Sequence, residues 1–213
     1  CRKSSKSAAT ASASRRWKNA ASFRRKPSSP ALPRKWATCI SKAPTARSSS
    51  ATALLPADVR DQVSSGVDVE NSEHILRLMA EFRPDVVVNC TGVVKQLLAA
   101  KSALATIPIN ALLPHRLAEL CSLIDARLIH FSTDCVFSGR KGAYVEDDFA
   151  DAGDMYGRTK YLGEVDYPHA ITLRTSIIGH ELDGARSLVC WFLAQHGEVR
   201  GFRRAIFSGL PTV

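Results

Sequence analysis

Three side chains in this sequence have the types and spacing of an acid–base site: Thr133, Tyr156 and Lys160. A tyrosine and a lysine four residues apart lie one above the other on a helix face, and a threonine at the end of a preceding strand can reach the same point. A phenol has an ordinary pKa of about 10, and a neighbouring ammonium lowers that pKa by favouring the phenolate. Such a trio can protonate a carbonyl oxygen while a nicotinamide supplies the hydride, so the pattern indicates carbonyl reduction.

The spacing alone is weak evidence. A Tyr-x-x-x-Lys pair occurs by chance in many chains, and a surface tyrosine beside a solvated lysine is the simpler interpretation. The context favours a site, because the pair begins a predicted helix and the strand before it ends in Ser132-Thr133-Asp134. Parallel α/β sheets bind their ligands at the carboxyl ends of the strands.

Strand and helix patterns alternate from about Leu54 onward. Unbroken apolar runs predict strands buried on both faces, and apolar residues at helical spacing predict the helices between them. The predicted strands are a strand end at Val67-Asp68-Val69, and then Val86–Val88, Leu128–Phe131 and Ile171–Leu173. Four helices are predicted: one that begins at Asn71 or Ser72, one over about Ala111 to Leu123, one that begins at Tyr156, and one that includes Trp191–Leu193. This order predicts a Rossmann-like doubly wound parallel α/β sheet.

The positive net charge of +9 is concentrated at one end of the chain. The first 50 residues contain 13 lysines and arginines and no acidic residue, whereas the other 163 residues carry 16 basic and 20 acidic side chains, a net charge of −4. The charge therefore does not predict a nucleic-acid partner for the folded part. The six cysteines are scattered without metal-ligand spacing, which argues against a zinc site and a disulfide framework. No apolar stretch approaches the length of a membrane span, and no apolar core follows the basic start, so we expect a cytoplasmic protein without a secretory signal.

An ordered set of short motifs resembles the dTDP-4-dehydrorhamnose reductase branch of the extended short-chain dehydrogenases. The resemblance runs from about Asp58 to Val213, roughly three-quarters of the chain. The matching segments are Arg83–Cys90, Asn110-Ala111 with Leu117-Ala118-Glu119, Leu128–Gly139, Tyr144–Asp148, Met155–Lys160 with Leu162-Gly163-Glu164, and Leu173–Ser176. The segment Thr91–Gln96 departs from the usual family sequence, which leaves the identity of the sugar open.

The resemblance implies a role for each matched position. Thr133, Tyr156 and Lys160 would be the catalytic trio, and Tyr156 and Lys160 would also contact the cofactor, NADP or NAD. The other implied cofactor contacts are Asp68 and Val69 at the adenine, Cys90, Thr91 and Gly92 beside the ribose, and Asn110 in support of Lys160. The implied substrate contacts are Ser132, Thr133, Arg174, Thr175 and Ser176. No metal is implied.

Several of these residues have simpler interpretations. Asp68 could end a strand or cap a turn, and Asn110 could be only a helix N-terminal residue. Cys135 follows the Ser-Thr-Asp motif but has no histidine near it in sequence to activate it, so a small buried thiol is expected. His130 on an apolar strand is more often a core residue than a catalyst. The acidic run Glu146-Asp147-Asp148 is better explained by a solvated loop than by a metal site.

The first fifty residues lack what relatives carry there, a strand followed by a glycine-rich phosphate loop, and the first glycine is Gly66. Alanine, serine, arginine and proline without acidic residues are typical of GC-rich coding DNA read in a shifted frame, which is our hypothesis. An organelle transit peptide and a basic nucleic-acid-binding arm are the rival interpretations. Without the loop, we expect weak dinucleotide binding and marginal stability.

These observations predict three regions. Residues 1–53 form a basic, disordered segment, residues 54–180 a partial NAD(P)-binding Rossmann domain that is incomplete at its N-terminus, and residues 181–213 the truncated start of a small substrate-binding part. The implied activity is NAD(P)-dependent reduction of a 4-keto-6-deoxysugar nucleotide for deoxysugar and surface polysaccharide synthesis. A sugar-nucleotide epimerase or dehydratase and a non-catalytic regulatory subunit on the same scaffold stay open, as does a homodimer.

Overall fold

A parallel α/β sheet forms the centre of the chain. The computed structural model describes residues 36–37, 67–95, 97–180, 187–203 and 209–211. The strands are β1 (Trp36–Ala37), β2 (Val86–Asn89), β3 (Arg127–Thr133), β4 (Ala170–Thr175), β5 (Ile177–Ile178) and β6 (Leu210–Pro211). The helices are α1 (Ser72–Phe82), α2 (Ala103–Thr106), a π-helical segment (Ile107–Leu112), α3 (Leu113–Leu123), α4 (Met155–Leu162) and α5 (Leu188–Leu193), with 3₁₀ turns at Leu98–Lys101 and Asp134–Val136.

The main sheet has the strand order β1-β2-β3-β4, and all its pairings are parallel. Asn89 at the end of β2 pairs with His130, and Thr133 at the end of β3 pairs with Thr175. The helices between these strands provide the crossovers that parallel pairing requires. The predicted Rossmann-like parallel α/β fold is confirmed. A separate parallel pair joins β5 to β6.

Helix α1 follows its sequence pattern closely. The Asn71 side chain caps it by accepting a hydrogen bond from the Glu73 N–H, and Ile75 and Met79 are its buried residues. The helix ends at Arg83, which has a left-handed φ of 41°, just before Pro84. A residue before proline avoids the helical conformation, so the predicted end of this helix is confirmed.

The core lies between β2, β3 and the helices that cover them. Leu128 and Cys121 are fully buried, and the cluster around them contains Val69, Ile75, Met79, Val87, Val93, Ala100, Ile109, Leu113, Leu117, Ala118, Ala126 and Val165. β2 alternates partly buried and buried residues, and most of β3 does the same. This burial stabilises the sheet whose carboxyl ends carry the site.

The predicted helix over Ala111–Leu123 is longer than the sequence pattern indicated. Helical structure begins at Ala103 and passes through the π-helical segment before α3. Pro108 lies at the start of that segment, and a proline removes one helical N–H and crowds the preceding turn, which a wider π turn can accommodate. The widened turn contains the buried Asn110.

One expectation for the N-terminal part, the strand end at residues 67–69, needs correction, and the disorder predicted for residues 1–53 stays a prediction. Residues 67–69 do not form the end of a strand: residues 67 and 68 are irregular and residue 69 begins a turn. The Asp68 carboxylate accepts the Glu70 N–H and its carbonyl accepts the Asn71 N–H, so this aspartate shapes the turn that leads into α1. Disorder was expected throughout residues 1–53, of which Trp36–Ala37 forms β1 beside β2. The rest of that segment lies outside the described residues, and the region boundaries stay predictions.

Candidate active site

The end of β3 and the start of α4 bring together two hydroxyls of the predicted trio. Thr133 is the last residue of β3, and its Oγ1 accepts the Cys135 N–H at 3.1 Å, which begins the next 3₁₀ turn. Tyr156 is the second residue of α4, and the Thr133 hydroxyl is near enough to lower the pKa of its phenol. Asp154 caps this helix by accepting the Gly157 N–H at 2.7 Å. The assignment of Thr133 and Tyr156 as catalytic partners stays a prediction.

Close packing explains the glycine inside the Tyr-Gly-Arg-Thr-Lys motif. A Cβ at position 157 would lie 2.4 Å from the Cys135 carbonyl oxygen and 2.5 Å from the Ala152 Cβ. At the far end of α4, a Cβ at position 163 would lie 1.9 Å from the Asn110 carbonyl oxygen. Both ends of the helix therefore approach neighbouring main chain so closely that only glycine fits.

Lys160 lies one helical turn after Tyr156, and only 5% of it is exposed. Its Nζ donates a hydrogen bond to the Phe131 carbonyl oxygen at 2.7 Å. Burial lowers the pKa of Lys160 to about 8, against the opposing effect of the Glu164 carboxylate. Near neutral pH the amine is thus still a cation, but one held in a poorly hydrated position.

The Tyr156 phenol does not have the lowered pKa that the sequence predicted. Burial raises its pKa above 10, and the Cys135 and Asp134 side chains act in the same direction. The Thr133 hydroxyl and the ammonium of Lys95 act on the pKa of Tyr156 in the opposite direction. The expectation that Lys160 gives Tyr156 a lowered pKa was wrong, because desolvation of the phenol outweighs the favourable charges.

Asn110 clamps the loop that follows β2. Its Oδ1 accepts the Val93 N–H at 2.8 Å, and its Nδ2 donates to the Val93 carbonyl at 3.2 Å and to Thr159 Oγ1 at 3.4 Å. It therefore supports the Lys160 region through the backbone of the neighbouring loop and through α4. This role differs from that of a simple helix N-terminal residue.

The predicted ribose-contacting segment lies in this clamped loop. Cys90 and Gly92 are exposed, whereas Thr91 is buried. A Cβ at Gly92 would lie 3.4 Å from Asn110 Oδ1 and 3.9 Å from Lys160 Nζ, so Gly92 adds no side chain in front of the amine. An ammonium has three donors, of which the Phe131 carbonyl takes one. These residues fit a ribose of NADP or NAD.

The other predicted cofactor and substrate residues lie in different surroundings. Asp68 is exposed in the turn before α1, and Val69 is part of the core. Thr175 lies beside Thr133 in the sheet, and the Ser176 carbonyl accepts the Leu210 N–H at 2.9 Å, which links the main sheet to the β5–β6 pair.

Ser132 and Arg174, both predicted substrate contacts, bind Glu164. Ser132 Oγ donates to Glu164 Oε1 at 2.8 Å, while Arg174 donates from Nε to Oε1 at 2.8 Å and from Nη2 to Oε2 at 2.6 Å. The paired donors of Arg174 suit a carboxylate. Glu164 was visible in the sequence only as part of a motif, and its place at the centre of this network was missed.

Three simpler interpretations can be compared with the structure. His130 is fully buried, its Nδ1 lies 3.1 Å from Asn89 Nδ2, and burial lowers its pKa to about 3, which confirms a core position. Burial raises the pKa of the Cys135 thiol, which disfavours a nucleophilic thiolate. In the acidic run, Asp148 forms an ion pair with Lys141. The described residues contain no group of three or more His, Cys, Asp or Glu side chains that could hold a metal ion.

A cavity of about 290 Å³ opens beside the start of α4. Lys95, Cys135, Phe137, Ser138 and Asp154 contribute to its lining. The Phe137 ring stacks on Tyr144 with centroids 4.4 Å apart, and the Arg174 guanidinium lies 5.0 Å from the centroid of Phe137. The lining of the cavity thus combines the aromatic ring of Phe137 with charged and hydroxyl side chains, and it includes neither Thr133 nor Tyr156.

The fold and this site place the chain in a known family. The RmlD substrate binding domain family matches residues 45–192, which is more than half of the chain. The chain belongs to this family.

Three similar proteins illustrate the family relationship. The dTDP-4-dehydrorhamnose reductase of Mycolicibacterium smegmatis is 34% identical over 128 residues, which are 57% of this chain and 38% of that enzyme. Methionine adenosyltransferase 2 subunit beta of Rattus norvegicus is 32% identical over 98 residues, 46% of this chain and 29% of that subunit. The crystal structure of a hypothetical dTDP-4-dehydrorhamnose reductase from Sulfolobus tokodaii aligns with a TM-score of 0.50 and 27% identity, over 54% of this chain and 43% of that one.

The chain therefore spans well under half the length of these relatives. Across the parts of the chain that the structure describes, no helix combines the length and the apolar character needed to cross a membrane.

Proposed function

We propose that this domain reduces the 4-keto group of a nucleotide-linked 6-deoxysugar with NADPH or NADH. The observation that carries the proposal is the position of Thr133 at the carboxyl end of β3, near Tyr156 in the first turn of α4, with Lys160 one helical turn further on. The similarity to dTDP-4-dehydrorhamnose reductases supports the substrate class. Because the chain spans well under half of those enzymes, the complete activity is part of the proposal.

In this reaction the nicotinamide supplies the hydride when it is bound. The Tyr156 hydroxyl donates its proton to the carbonyl oxygen as negative charge develops there, and Thr133 Oγ1 holds the same oxygen by a hydrogen bond. Lys160 binds the ribose hydroxyls past Gly92 and adds positive charge. Asn110 keeps the Val93 loop and α4 at a fixed separation, so the ribose site and the Tyr156 phenol keep their relative positions.

The test is NADPH oxidation, followed at 340 nm, with a dTDP-4-keto-6-deoxysugar as substrate. Two proteins are compared: the 213-residue chain, and the protein encoded when the reading frame upstream of Asp58 is corrected. Tyr156→Phe in each removes the proton donor and should lower the rate by about two orders of magnitude or more. Ketosugar-dependent oxidation that survives Tyr156→Phe unchanged, or that is absent from both proteins, contradicts the proposal.

A regulatory subunit is the second candidate function. It is favoured by the 32% identity to methionine adenosyltransferase 2 subunit beta. This reading predicts binding of a partner protein without turnover of a ketosugar. An epimerase or dehydratase on the same trio predicts conversion of the sugar without net consumption of NADPH, so the same assay, combined with product analysis, separates all three functions.

A further inference from the structure

One arginine joins three parts of the chain at the carboxyl edge of the main sheet. Arg174 lies near the end of β4 and pairs with Ser132 of β3. Its Nε and Nη2 donate to the two carboxylate oxygens of Glu164 at 2.8 and 2.6 Å, and its Nη1 donates to the Glu146 carbonyl oxygen at 3.0 Å. The guanidinium also lies 5.0 Å from the centroid of the Phe137 ring. Arg174 therefore links β4 to the segment after α4 and to the loop after β3.

The loop after β3, residues 137–151, connects the two hydroxyl residues of the predicted trio, and we call it the β3–α4 loop. Thr133 precedes it at the end of β3, and Tyr156 follows it in the first turn of α4. Inside the loop, two aromatic rings stack with centroids 4.4 Å apart, and one of them is Phe137. The contacts of Arg174 with this ring and with the loop backbone attach the β3–α4 loop to β4.

The β3–α4 loop also bounds open space beside the start of α4. Phe137, Ser138 and Arg140 of this loop line the cavity of about 290 Å³. Asp154, the N-cap of α4, lines the same cavity. A movement of the loop would therefore change the shape of the space that lies next to the first turn of the helix.

Glu164 is placed to fix the orientation of the Arg174 guanidinium. Its own N–H donates to the Tyr161 carbonyl oxygen at 3.0 Å, directly after α4. The next residue, Val165, donates its N–H to Thr172 Oγ1 and accepts the hydrogen of the same hydroxyl. The Glu164 and Arg174 side chains are only 12% and 20% exposed. A guanidinium bound by both oxygens of a fixed carboxylate keeps one orientation, so Nη1 stays directed at the loop.

We propose that Arg174, oriented by Glu164, is a positioning residue that holds the β3–α4 loop in place as a wall of the sugar-binding site. The inference rests on the proposed function, in which the sugar reaches Thr133 and Tyr156 at the two ends of this loop. Three of the five guanidinium N–H donors bind protein oxygens. Arg174 therefore acts on sugar affinity through the loop, whereas the resemblance implied a direct contact with the substrate.

The first test measures the loop directly and needs no substrate. Amide hydrogen exchange, followed by mass spectrometry, reports local opening of residues 137–151. Arg174→Lys keeps the charge beside Glu164 but loses the planar fork, so it cannot bind the carboxylate and the loop backbone together. We expect the loop peptides of this variant to exchange about fivefold faster or more, while peptides of α1 exchange as in the parent.

Glu164→Gln is the second variant. Its side chain has one acceptor oxygen where the carboxylate has two, so the paired donors of Arg174 lose a partner, and exchange should again accelerate in the loop only. Arg127→Lys is the matched control, because it makes the same change at the start of β3, at the opposite edge of the sheet, and its loop should exchange as in the parent. Unchanged loop exchange in the variants that fold, or an equal acceleration in Arg127→Lys, would overturn the role of Arg174.

The second test uses the same variants of the frame-corrected protein in NADPH oxidation. KM for the dTDP-4-keto-6-deoxysugar should rise about tenfold with kcat within about threefold of the parent, because the loop affects binding while Thr133 and Tyr156 keep their places on β3 and α4. A loss confined to kcat would contradict the proposal. A raised KM without faster loop exchange would contradict it as well, since that result would indicate direct contact between Arg174 and the sugar.

Hydrogen exchange requires neither NADPH nor a ketosugar, so the two proposals fail separately. Faster loop exchange in a chain without ketosugar-dependent NADPH oxidation rejects the reductase and leaves the hold of Arg174 on the loop standing. Unchanged loop exchange in a chain that reduces the ketosugar rejects the role of Arg174 and leaves the reductase standing.

Discussion

At the scale of single residues, the buried amine of Lys160 links the stability of the protein to pH. Burial lowers its pKa from 10.5 to about 8. Between these two values the unfolded chain holds a proton that the folded chain has released. The free energy of unfolding contributed by this group therefore rises with pH across that window and is constant below and above it.

We predict that replacing Lys160 by methionine removes this pH dependence. Relative to the variant, the parent should gain at most about 3 kcal/mol of unfolding free energy between pH 8 and pH 10.5, as measured by urea denaturation at several pH values. Cys121, whose pKa burial raises to about 12, is present in both proteins and cancels in the difference. Lys101→Met should instead run parallel to the parent, and parallel curves for Lys160→Met would contradict the prediction.

The residues of the site were predictable to the extent that their partners are near in sequence or belong to a motif. Tyr156, Lys160 and Thr133 were identified from helical spacing and from the end of a strand. The ion pair between Lys95 and Asp154, the N-cap of α4, was missed because the two residues are far apart in sequence and no spacing rule connects them. The direction of the Tyr156 pKa was missed for a related reason: burial of the phenol depends on tertiary packing, which the local pattern does not contain.

At the scale of secondary-structure elements, α4 depends on a contact without room for a side chain. We predict that Gly157→Ala destabilises the domain by about 2 kcal/mol, because the added methyl group would overlap the Cys135 carbonyl and the Ala152 side chain. Urea denaturation measures the loss. Gly153→Ala is the control in the same segment, since no described atom comes within 4 Å of a Cβ placed there. Equal effects of the two substitutions would contradict a special role of the close contact at Gly157.

Strong apolar periodicity and clear boundary residues were sufficient for most elements. The runs at Val86–Val88 and Leu128–Phe131 became β2 and β3, and Asn71 and Pro84 bounded α1 as predicted. The start of the helical region at Ala103 was missed, because a proline such as Pro108 normally interrupts an α-helix. The π-helical turn accommodates Pro108 instead. The turn at residues 67–69 was missed because a valine on each side of Asp68 resembles a strand.

At the scale of the whole molecule, the central question is how well this chain holds a dinucleotide. The sequence before β2 contains no glycine-rich phosphate loop in residues 1–50, and the described part of the strand beside β2 is Trp36–Ala37. Main-chain N–H groups of such a loop and the following helix N-terminus normally bind the pyrophosphate. The described residues include the proposed ribose-binding end of the site, around Gly92 and Lys160, but no phosphate-binding loop.

We therefore predict that the 213-residue chain binds NADPH with a dissociation constant above about 1 μM, which corresponds to a binding free energy of less than roughly 8 kcal/mol in magnitude. Isothermal titration calorimetry measures this value, and the frame-corrected protein is the comparison, for which tighter binding is expected. Micromolar or tighter binding by the chain as it stands would show that its first residues build a phosphate site that their composition does not reveal.

The contact at Gly163 limits how the site can move. Here the main chain of the Tyr156 helix and that of the Asn110 turn meet with a gap too narrow for one methyl group. Two backbones in such contact can separate, but one cannot slide along the other. The phenol and the loop held by Asn110 are then expected to move as a single block, so a reacting sugar must bring its carbonyl oxygen to a hydroxyl in a fixed position.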